Sequence, residues 1–369
     1  MRRRHFIAWL LLVLAVATSG HASDTSIQSA TAARLWQLAA QEQAMLDQRG
    51  VILKEAALCR YLDDIVERLW AQVPDQLSTP RVKIIVETRI DAHAYPNGVI
   101  FLSTGILEVV ENESQLAMIL AHEMVHYASQ HTAALYNHYQ PANLHGDRRE
   151  AAEGGSAGVV DMRRMIDAAE RQADQEGLAI LQAAGYCDKE VLPLIASLEN
   201  YLRKQGYSES ASQCNKRIER FNAMINREGG CRPGCVAMNT DAVGYRGRVA
   251  PALMANAQQA VRGGDWDQAH RSIAKFLEVE PHNARAYYLK GEILRRQNKS
   301  GPEAACIDAY EKALEVDPTF PPTHRALGEV HFKAGRYQMA KPYFEAFLSL
   351  APEDTASAFI TGYLKQCLN

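Results

Sequence analysis

The chain has 369 residues, which is more than a single ordinary hydrophobic core contains and suits two folded units. Hydrophobic residues make up 47% and charged residues 22%, a composition that excludes a disordered or fibrous protein. The formal net charge of -3 provides no basic field, which argues against nucleic acid or an anionic membrane surface as a partner.

The first 22 residues are predicted to form a signal peptide. Three arginines precede an apolar run from Phe6 to Ala17, which is well short of the roughly 20 residues that a membrane helix needs. Small residues follow the run, and we expect cleavage after Ala22 and export of the chain. An uncleaved N-terminal anchor is the alternative. Because no second long apolar run follows, no transmembrane segment is expected in the mature chain.

Export would place the seven cysteines in an oxidising compartment, where thiols tend to pair. Cys231 and Cys235 flank a Pro-Gly turn that could bring them within disulfide reach, although this spacing alone is a weak signal. Cys306 and Cys367 could form a second pair in the helical C-terminal region. The sequence does not identify partners for the other three cysteines.

The first elements after the signal peptide are predicted to be helical. Apolar residues at helical spacing from about Ser26 to Val73 predict two helices. After Pro80, β-forming residues and a Pro-Asn-Gly turn predict a small sheet that ends in a hairpin. A capping-box pattern at Asn112 then opens a long helix, which we expect to run to about Tyr139.

The remaining part of this first unit is predicted to contain a loop and further helices. Residues Gln140 to Val159 are rich in Gly, Asn, Asp and Arg, which is typical of a loop. Helical periodicity resumes from Asp161 to about Ala184, and more helix is expected to about Gly206. Residues 207–248 combine partial helical character with a Gly- and Cys-rich turn, and we interpret them as a linker region.

The helix that opens at Asn112 contains an HExxH pattern, His122-Glu123-Met124-Val125-His126. This spacing places the two imidazoles about 40° apart on one helical face and one turn along the axis, so both can reach one Zn²⁺. Glu123 lies roughly 100° from His122, where it can take a proton from a water molecule at the metal. We therefore predict two zinc ligands, His122 and His126, and a catalytic base, Glu123.

A third ligand is predicted on the helix after the loop. Glu170 and Asp174 are four residues apart and share a helical face, so Glu170 could bind zinc while Asp174 orients a ligand. Without the HExxH pattern, a solvated charged face would be the better interpretation of this pair. With it, Glu170 is the predicted third zinc ligand.

His131 is predicted to be structural rather than a ligand. On a continuous helix its side chain would point about 140° away from His126. A third histidine ligand of the metzincin type would stand at position 132, which is Thr132. His138 and His145 are weaker candidates for gating the site.

An internal repeat begins near Pro251, and two of its three landmarks, the second small position and the proline, recur at spacings of 37 and then 34 residues. Two small positions and one proline recur in each unit: Ala257, Gly291 and Gly328; Ala269, Cys306 and Ala340; Pro281, Pro318 and Pro352. The extra residues of the middle unit fall at Asn298 to Gly301. This helix-turn-helix period resembles the tetratricopeptide repeat. We expect about three repeats in 249–369, with a capping helix from Ala356 to Leu368.

The region from about Ala57 to Ala196 resembles the M48-type zinc metallopeptidases, the gluzincin group with HExxH and a distant ExxxD. The resemblance rests on the residues Asp91 to Leu107, on the HExxH pattern, and on Glu170, Asp174, Gly177 and Ala184-Gly185-Tyr186. It implies an α+β fold: a mainly helical zinc peptidase domain (23–206) with a small β-sheet, followed by an α-helical tetratricopeptide-repeat solenoid. It also implies one Zn²⁺ per chain.

The resemblance implies a zinc-dependent endopeptidase of the bacterial envelope. Its substrates would be unfolded or misassembled envelope proteins, and its repeats would recruit substrate or the outer-membrane assembly machinery. The expected location is the periplasm, with peripheral association with the outer membrane as an option. Many relatives carry a Thr-His-Pro segment whose His restrains activity, but no His occurs here between His145 and His270, which puts that form of autoinhibition in doubt.

An extended peptide could bind by pairing with an edge strand, since backbone pairing makes few demands on sequence. We interpret Val99, Ile100, Phe101 and Leu102 as that strand. A non-catalytic chaperone or assembly scaffold that uses only the repeats is the main alternative function, and a zinc enzyme of different chemistry is a third. The natural substrates, the cleavage preference and the oxyanion donor are not identified by the sequence.

Overall fold

The computed structural model describes residues 24–74, 77–135, 155–206, 208–227, 240–297 and 303–368. The chain divides into two compact units, Met1–Val249 and Ala250–Asn369. Several predictions fall outside the described residues: the signal peptide, most of the loop from Gln140 to Val159 with His138 and His145, the pair Cys231 and Cys235, and the insertion at Asn298 to Gly301. No helix within the described ranges has the length and apolar character needed to cross a bilayer.

The first unit begins with the two predicted helices, α1 (Asp24–Gln48) and α2 (Ala56–Trp70). One face of α2 is fully buried because its apolar residues recur at helical spacing, including Leu58, Leu62 and Leu69.

A four-stranded sheet follows, in the order β1-β2-β4-β3. Its strands are β1 (Ile52–Leu53), β2 (Arg81–Ile85), β3 (Ala92–Ala94) and β4 (Val99–Ser103). The predicted hairpin joins β3 to β4, and Gly98 has the positive φ of 77° that its turn requires.

The prediction that residues Val99 to Leu102 form an edge strand is wrong. They belong to β4, which pairs with β2 in parallel on one side and with β3 in antiparallel on the other. Every residue of β4 is buried, so this strand has no free edge to offer a peptide. The edge strand of the hairpin is β3.

The helix predicted to open at Asn112 is α4 (Glu113–Ala128), which follows the short α3 (Thr104–Val109). The Asn112 side chain accepts a hydrogen bond from the Gln115 amide at 3.0 Å, which confirms the predicted N-terminal cap. The predicted C-terminus near Tyr139 is wrong. The helix ends at Ala128 because Gln130 adopts a left-handed backbone with φ of 50°, and the described residues 131–135 are helical again.

The first unit continues with α5 (Gly155–Ala183), a 3-10 turn (Asp188–Glu190), α6 (Val191–Lys204) and α7 (Ser208–Arg227). Helix α5 packs closely against α4. A Cβ at Gly177 would lie 3.1 Å from the backbone nitrogen of His122, so glycine lets the two helices approach at the HExxH pattern.

The linker interpretation of 207–248 is corrected for the part that the structure describes. Helix α7 packs against α6 and sends Arg217 to a buried carboxylate of α5. Tyr245 and Arg248, at the start of the next helix, bond to Leu107 and Glu113. These segments therefore belong to the first unit, and the remaining domain boundaries stay predictions.

The second unit is entirely helical in its described residues. It contains the end of α8 (Ala242–Gly263), then α9 (Trp266–Val279), α10 (Ala284–Gln297), α11 (Glu303–Val316), α12 (Pro321–Lys333), α13 (Tyr337–Leu350) and α14 (Ser357–Leu368). The recurring small residues are packing positions: Gly291 touches the Tyr310 ring and Gly328 the Phe344 ring. Helix α14 caps the array as predicted, packing on α13.

The suggested pair Cys306 and Cys367 does not form. Neither is in a disulfide bond, and they are buried in two different hydrophobic clusters, Cys306 with Tyr310 and Cys367 with Phe344.

Candidate metal centre and active site

Three predicted ligands converge where α4 meets α5. The Nε2 atoms of His122 and His126 are 3.1 Å apart. The Glu170 carboxylate lies 3.6 Å from His122 Nε2 and 3.5 Å from His126 Nε2. All three ligand atoms lie within 4.8 Å of one another, an arrangement that could hold a metal ion.

The donor set fits a zinc ion. Two imidazoles and one carboxylate, with an open fourth position, are a ligand combination that zinc uses in catalytic sites. Two imidazole nitrogens 3.1 Å apart repel each other unless a proton or a cation lies between their lone pairs. A cation bound by both nitrogens and by Glu170 would satisfy all three groups.

Asp174 lies beside His122. Its side chain is only 2% exposed, and Oδ1 lies 3.2 Å from His122 Nδ1. The geometry of this contact falls short of a well-aligned hydrogen bond, so it is foremost a charge contact. Asp174 is thus placed to orient the His122 ring through the nitrogen that faces away from the metal.

Two arginines of α7 complete the surroundings of Asp174, and the sequence did not indicate either of them. Arg217 donates to Asp174 through Nε at 3.1 Å and through Nη2, and Arg220 Nη2 lies 3.1 Å from Oδ2. A carboxylate so deeply buried needs such partners, because burial of an unpaired charge is costly. The need for a partner was predictable, but the position of that partner was not.

Glu170, Asp174 and His122 shift one another's pKa values. Burial alone would raise the pKa of Glu170, but the two histidines lower it to about 2. Burial alone would likewise raise the pKa of Asp174, but His122 and Arg217 hold it well below its usual range. Burial opposes the protonation of His122, yet Asp174 and Glu170 raise its pKa to about 9. The metal-free site therefore holds a proton that a metal cation would displace.

Glu123 lies beside this cluster and is not one of the three converging ligands. Burial raises the pKa of its carboxyl to about 7. Burial and the neighbouring His122 lower the pKa of His126 to about 4, so this imidazole is neutral at pH 7. A carboxylate with a pKa near neutrality is suited to accept a proton and return it.

A cavity of about 330 Å³ opens at the centre, and His122, Glu123, His126 and Glu170 are among its lining residues. Its walls are largely apolar and come from α4, α6 and α7: Met118, Ile119, Val191, Leu194, Ile195 and Phe221. The cavity can therefore receive a bulky apolar side chain next to the candidate catalytic groups.

Strand β3 forms one border of the same cavity. Tyr95 donates its N–H to Val99 at 2.8 Å, and the Asp91 carbonyl accepts a bond from β4 at 2.9 Å. Because backbone directions alternate along a strand, the N–H and C=O groups of Ala92 and Ala94 point away from β4. They are therefore not used in pairing with β4.

His131 lies next to the cluster rather than away from it. Since α4 ends before it, the predicted 140° separation does not apply, and His131 Nδ1 lies 3.0 Å from His126 Nδ1. The contact uses His126 Nδ1 and not the Nε2 atom that lies beside His122 and Glu170. His131 is therefore not one of the three candidate ligands.

Comparison with known families gives matches in both units. Residues 56–145 match Peptidase family M48, and residues 254–321 and 321–354 match tetratricopeptide repeats. The chain therefore combines an M48 metalloprotease domain with C-terminal tetratricopeptide repeats, which confirms the resemblance found in the sequence.

Curated relatives match the chain over different lengths. The beta-barrel assembly-enhancing protease of Escherichia coli strain K12 is 23% identical over 338 residues, covering 78% of this chain and 68% of the relative. The protein of the same name from Yersinia pestis is 23% identical over 170 residues, covering 42% of this chain and 34% of the relative.

Proposed function

We propose that this chain is a zinc-dependent endopeptidase in which His122, His126 and Glu170 hold one Zn²⁺. The observation that carries the proposal is the convergence of these three side chains beside the buried Glu123, with all four residues lining one cavity. The match of residues 56–145 to Peptidase family M48 supports it independently.

When bound, the zinc ion polarises the scissile carbonyl and makes water a stronger acid. Glu123 accepts the proton of the attacking water and delivers it to the departing amine. Asp174 holds the His122 ring in place, and the paired Arg217 keeps Asp174 ionised.

The preferred substrate is an unfolded segment that contains a bulky apolar residue. Strand β3 offers the backbone groups of Ala92 and Ala94 to any extended chain, whatever its sequence. The apolar cavity adds a requirement, because large apolar side chains are buried in folded proteins and exposed in unfolded ones. Together these features favour misfolded or misassembled proteins over folded ones.

The repeats recruit substrate or a partner. Stacked helical repeats commonly form an extended binding surface, and the named relatives are beta-barrel assembly-enhancing proteases. We therefore place the chain in the bacterial envelope, exported to the periplasm and peripheral to the outer membrane. Its substrates there are envelope proteins, and its partner is the outer-membrane assembly machinery.

The ligand assignment is tested by metal content. After loading with zinc and gel filtration, elemental analysis of the wild type should give one zinc ion per chain, and Glu170→Gln should retain far less. Asp167→Asn is a matched control, because Asp167 is an exposed carboxylate one turn earlier on α5. Zinc-free wild type, or equal zinc in Glu170→Gln and wild type, would refute the assignment.

A further inference from the structure

His131 lies beside the candidate metal centre because the backbone changes direction between the end of α4 and residue 131. Helix α4 ends at Ala128, and Gln130 takes the left-handed conformation with φ of 50°. His131 is buried, with 9% of its surface exposed, and its Nδ1 faces His126 Nδ1 at 3.0 Å. With one proton between these two nitrogens, one of them donates and the other accepts.

The partner of His131 Nε2 determines which of the two Nδ1 atoms, that of His126 or that of His131, donates. His131 Nε2 lies 3.1 Å from Gln172 Oε1, and the Gln172 amide nitrogen lies 3.0 Å from Glu176 Oε1. A carboxylate can only accept, so the Gln172 NH₂ group must face Glu176 and its carbonyl oxygen must face His131. The same NH₂ group donates to Ser129 Oγ at 3.1 Å, which is consistent with this orientation.

The proton positions then follow one after another. The Gln172 oxygen accepts, so His131 Nε2 carries a hydrogen. His126 can bind a metal ion through Nε2 only when its own hydrogen is on Nδ1, and His131 Nδ1 lies 3.0 Å away, where it can accept that hydrogen. His126 is left with its lone pair on Nε2, the nitrogen that lies beside His122 and Glu170.

We propose that His131 is a positioning residue that fixes His126 in the metal-binding tautomer, through a relay that Gln172 and Glu176 orient. This inference rests on the proposed function, because it concerns the orientation of a zinc ligand. The two histidine ligands thus have different partners: His122 faces the Asp174 carboxylate, whereas His126 faces the His131 imidazole.

The first test is zinc affinity, measured by competition with a chromophoric chelator. His131→Phe keeps a ring but removes the acceptor, and loss of such a partner should weaken zinc binding by about 10- to 100-fold. His131→Asn places an amide oxygen near the former Nδ1 and should recover part of the affinity. Ser129→Ala is the control, because it removes one bond of Gln172 and leaves Glu176 to orient the amide.

The second test needs no variant to fold and no zinc to bind. In the metal-free wild type labelled with ¹⁵N-histidine, ring nitrogen shifts should show His131 protonated at Nε2 and His126 at Nδ1. The proposal is overturned if His131 carries its proton on Nδ1, or if folded His131→Phe binds zinc within about twofold of wild type. Failure of the wild type to bind zinc would refute the proposed function and leave the tautomer result to decide this inference.

Discussion

Arg217 of α7 binds Asp174 of α5 through two nitrogen atoms, with Nε donating to Oδ2 at 3.1 Å and Nη2 donating to Oδ1. Asp174 in turn lies 3.2 Å from His122. Helix α7, interpreted from the sequence as part of a linker, therefore contacts the residue that holds the candidate metal ligand His122.

Removing Arg217 should destabilise the first unit and loosen His122. In Arg217→Met, Asp174 stays buried with Arg220 as its remaining arginine partner, so we expect a loss of about 2 kcal/mol in the free energy of unfolding. Urea unfolding of the metal-free chain measures this loss. Arg203→Met, which removes an exposed pair with Glu199, should cost less than about 1 kcal/mol. Equal losses in the two variants would contradict this account of α7.

Proline at position 94 should impair cleavage without affecting the metal centre. Ala94→Pro removes an N–H that points away from β4, and proline is tolerated on an edge strand. If substrate pairs with this N–H, the rate of casein cleavage should fall roughly fivefold or more at unchanged zinc content. Ala94→Gly keeps the N–H and should lose much less. Wild-type cleavage by Ala94→Pro would rule out substrate pairing at this position.

Filling the cavity should change the cleavage preference. Leu198 is half-buried on α6 and lines the cavity, so Leu198→Trp should reduce the space for a bulky substrate residue. We expect kcat/KM for a phenylalanine-containing peptide to fall about tenfold relative to its alanine analogue, a difference of about 1.4 kcal/mol. Leu192→Trp, on the same helix but outside the cavity lining, is the control. An unchanged preference in Leu198→Trp would show that the cavity does not select the substrate.

Acid should remove the stabilising contribution of Glu292 in the second unit. Burial alone would raise the pKa of this carboxyl, but Arg295 and Tyr310 lower it. A lowered pKa stabilises the fold above the unfolded value of about 4, and this stability is lost as pH falls through the folded value. The Tm difference between wild type and Glu292→Gln should therefore be largest near pH 7 and shrink towards acid.

Calorimetry at several pH values follows this difference. Glu315→Gln is the control, because Glu315 is 65% exposed and its pair with Lys312 is at the surface. A Glu292→Gln difference that stays constant or grows on acidification would contradict the assigned sign.

The sequence predicted what local spacing determines. His122 and His126 face the same way because they are one helical turn apart, and Asn112 caps its helix through a bond that spans only three residues. The approach of Glu170 to the two histidines could be anticipated because the ExxxD spacing is fixed too and the family resemblance supplied its partner.

The errors concern contacts that local spacing does not determine. A hairpin pattern shows that β3 and β4 pair, but it does not show that β2 joins beside β4 and leaves β3 at the edge. The end of α4 depends on the left-handed conformation of residue 130. That residue is Gln130 and not the glycine that usually marks such a position in a sequence. Arg217 could be recognised only once α7 was folded against α5.

The central claim, that Glu123 is the catalytic base of a zinc endopeptidase, is tested most directly by Glu123→Gln. Casein cleavage and bound zinc should be measured on the same preparations of wild type and variant. We predict that Glu123→Gln binds as much zinc as the wild type and cleaves at least about 100-fold more slowly, which is the scale of general-base catalysis. Equal cleavage by wild type and a zinc-loaded Glu123→Gln would contradict the account.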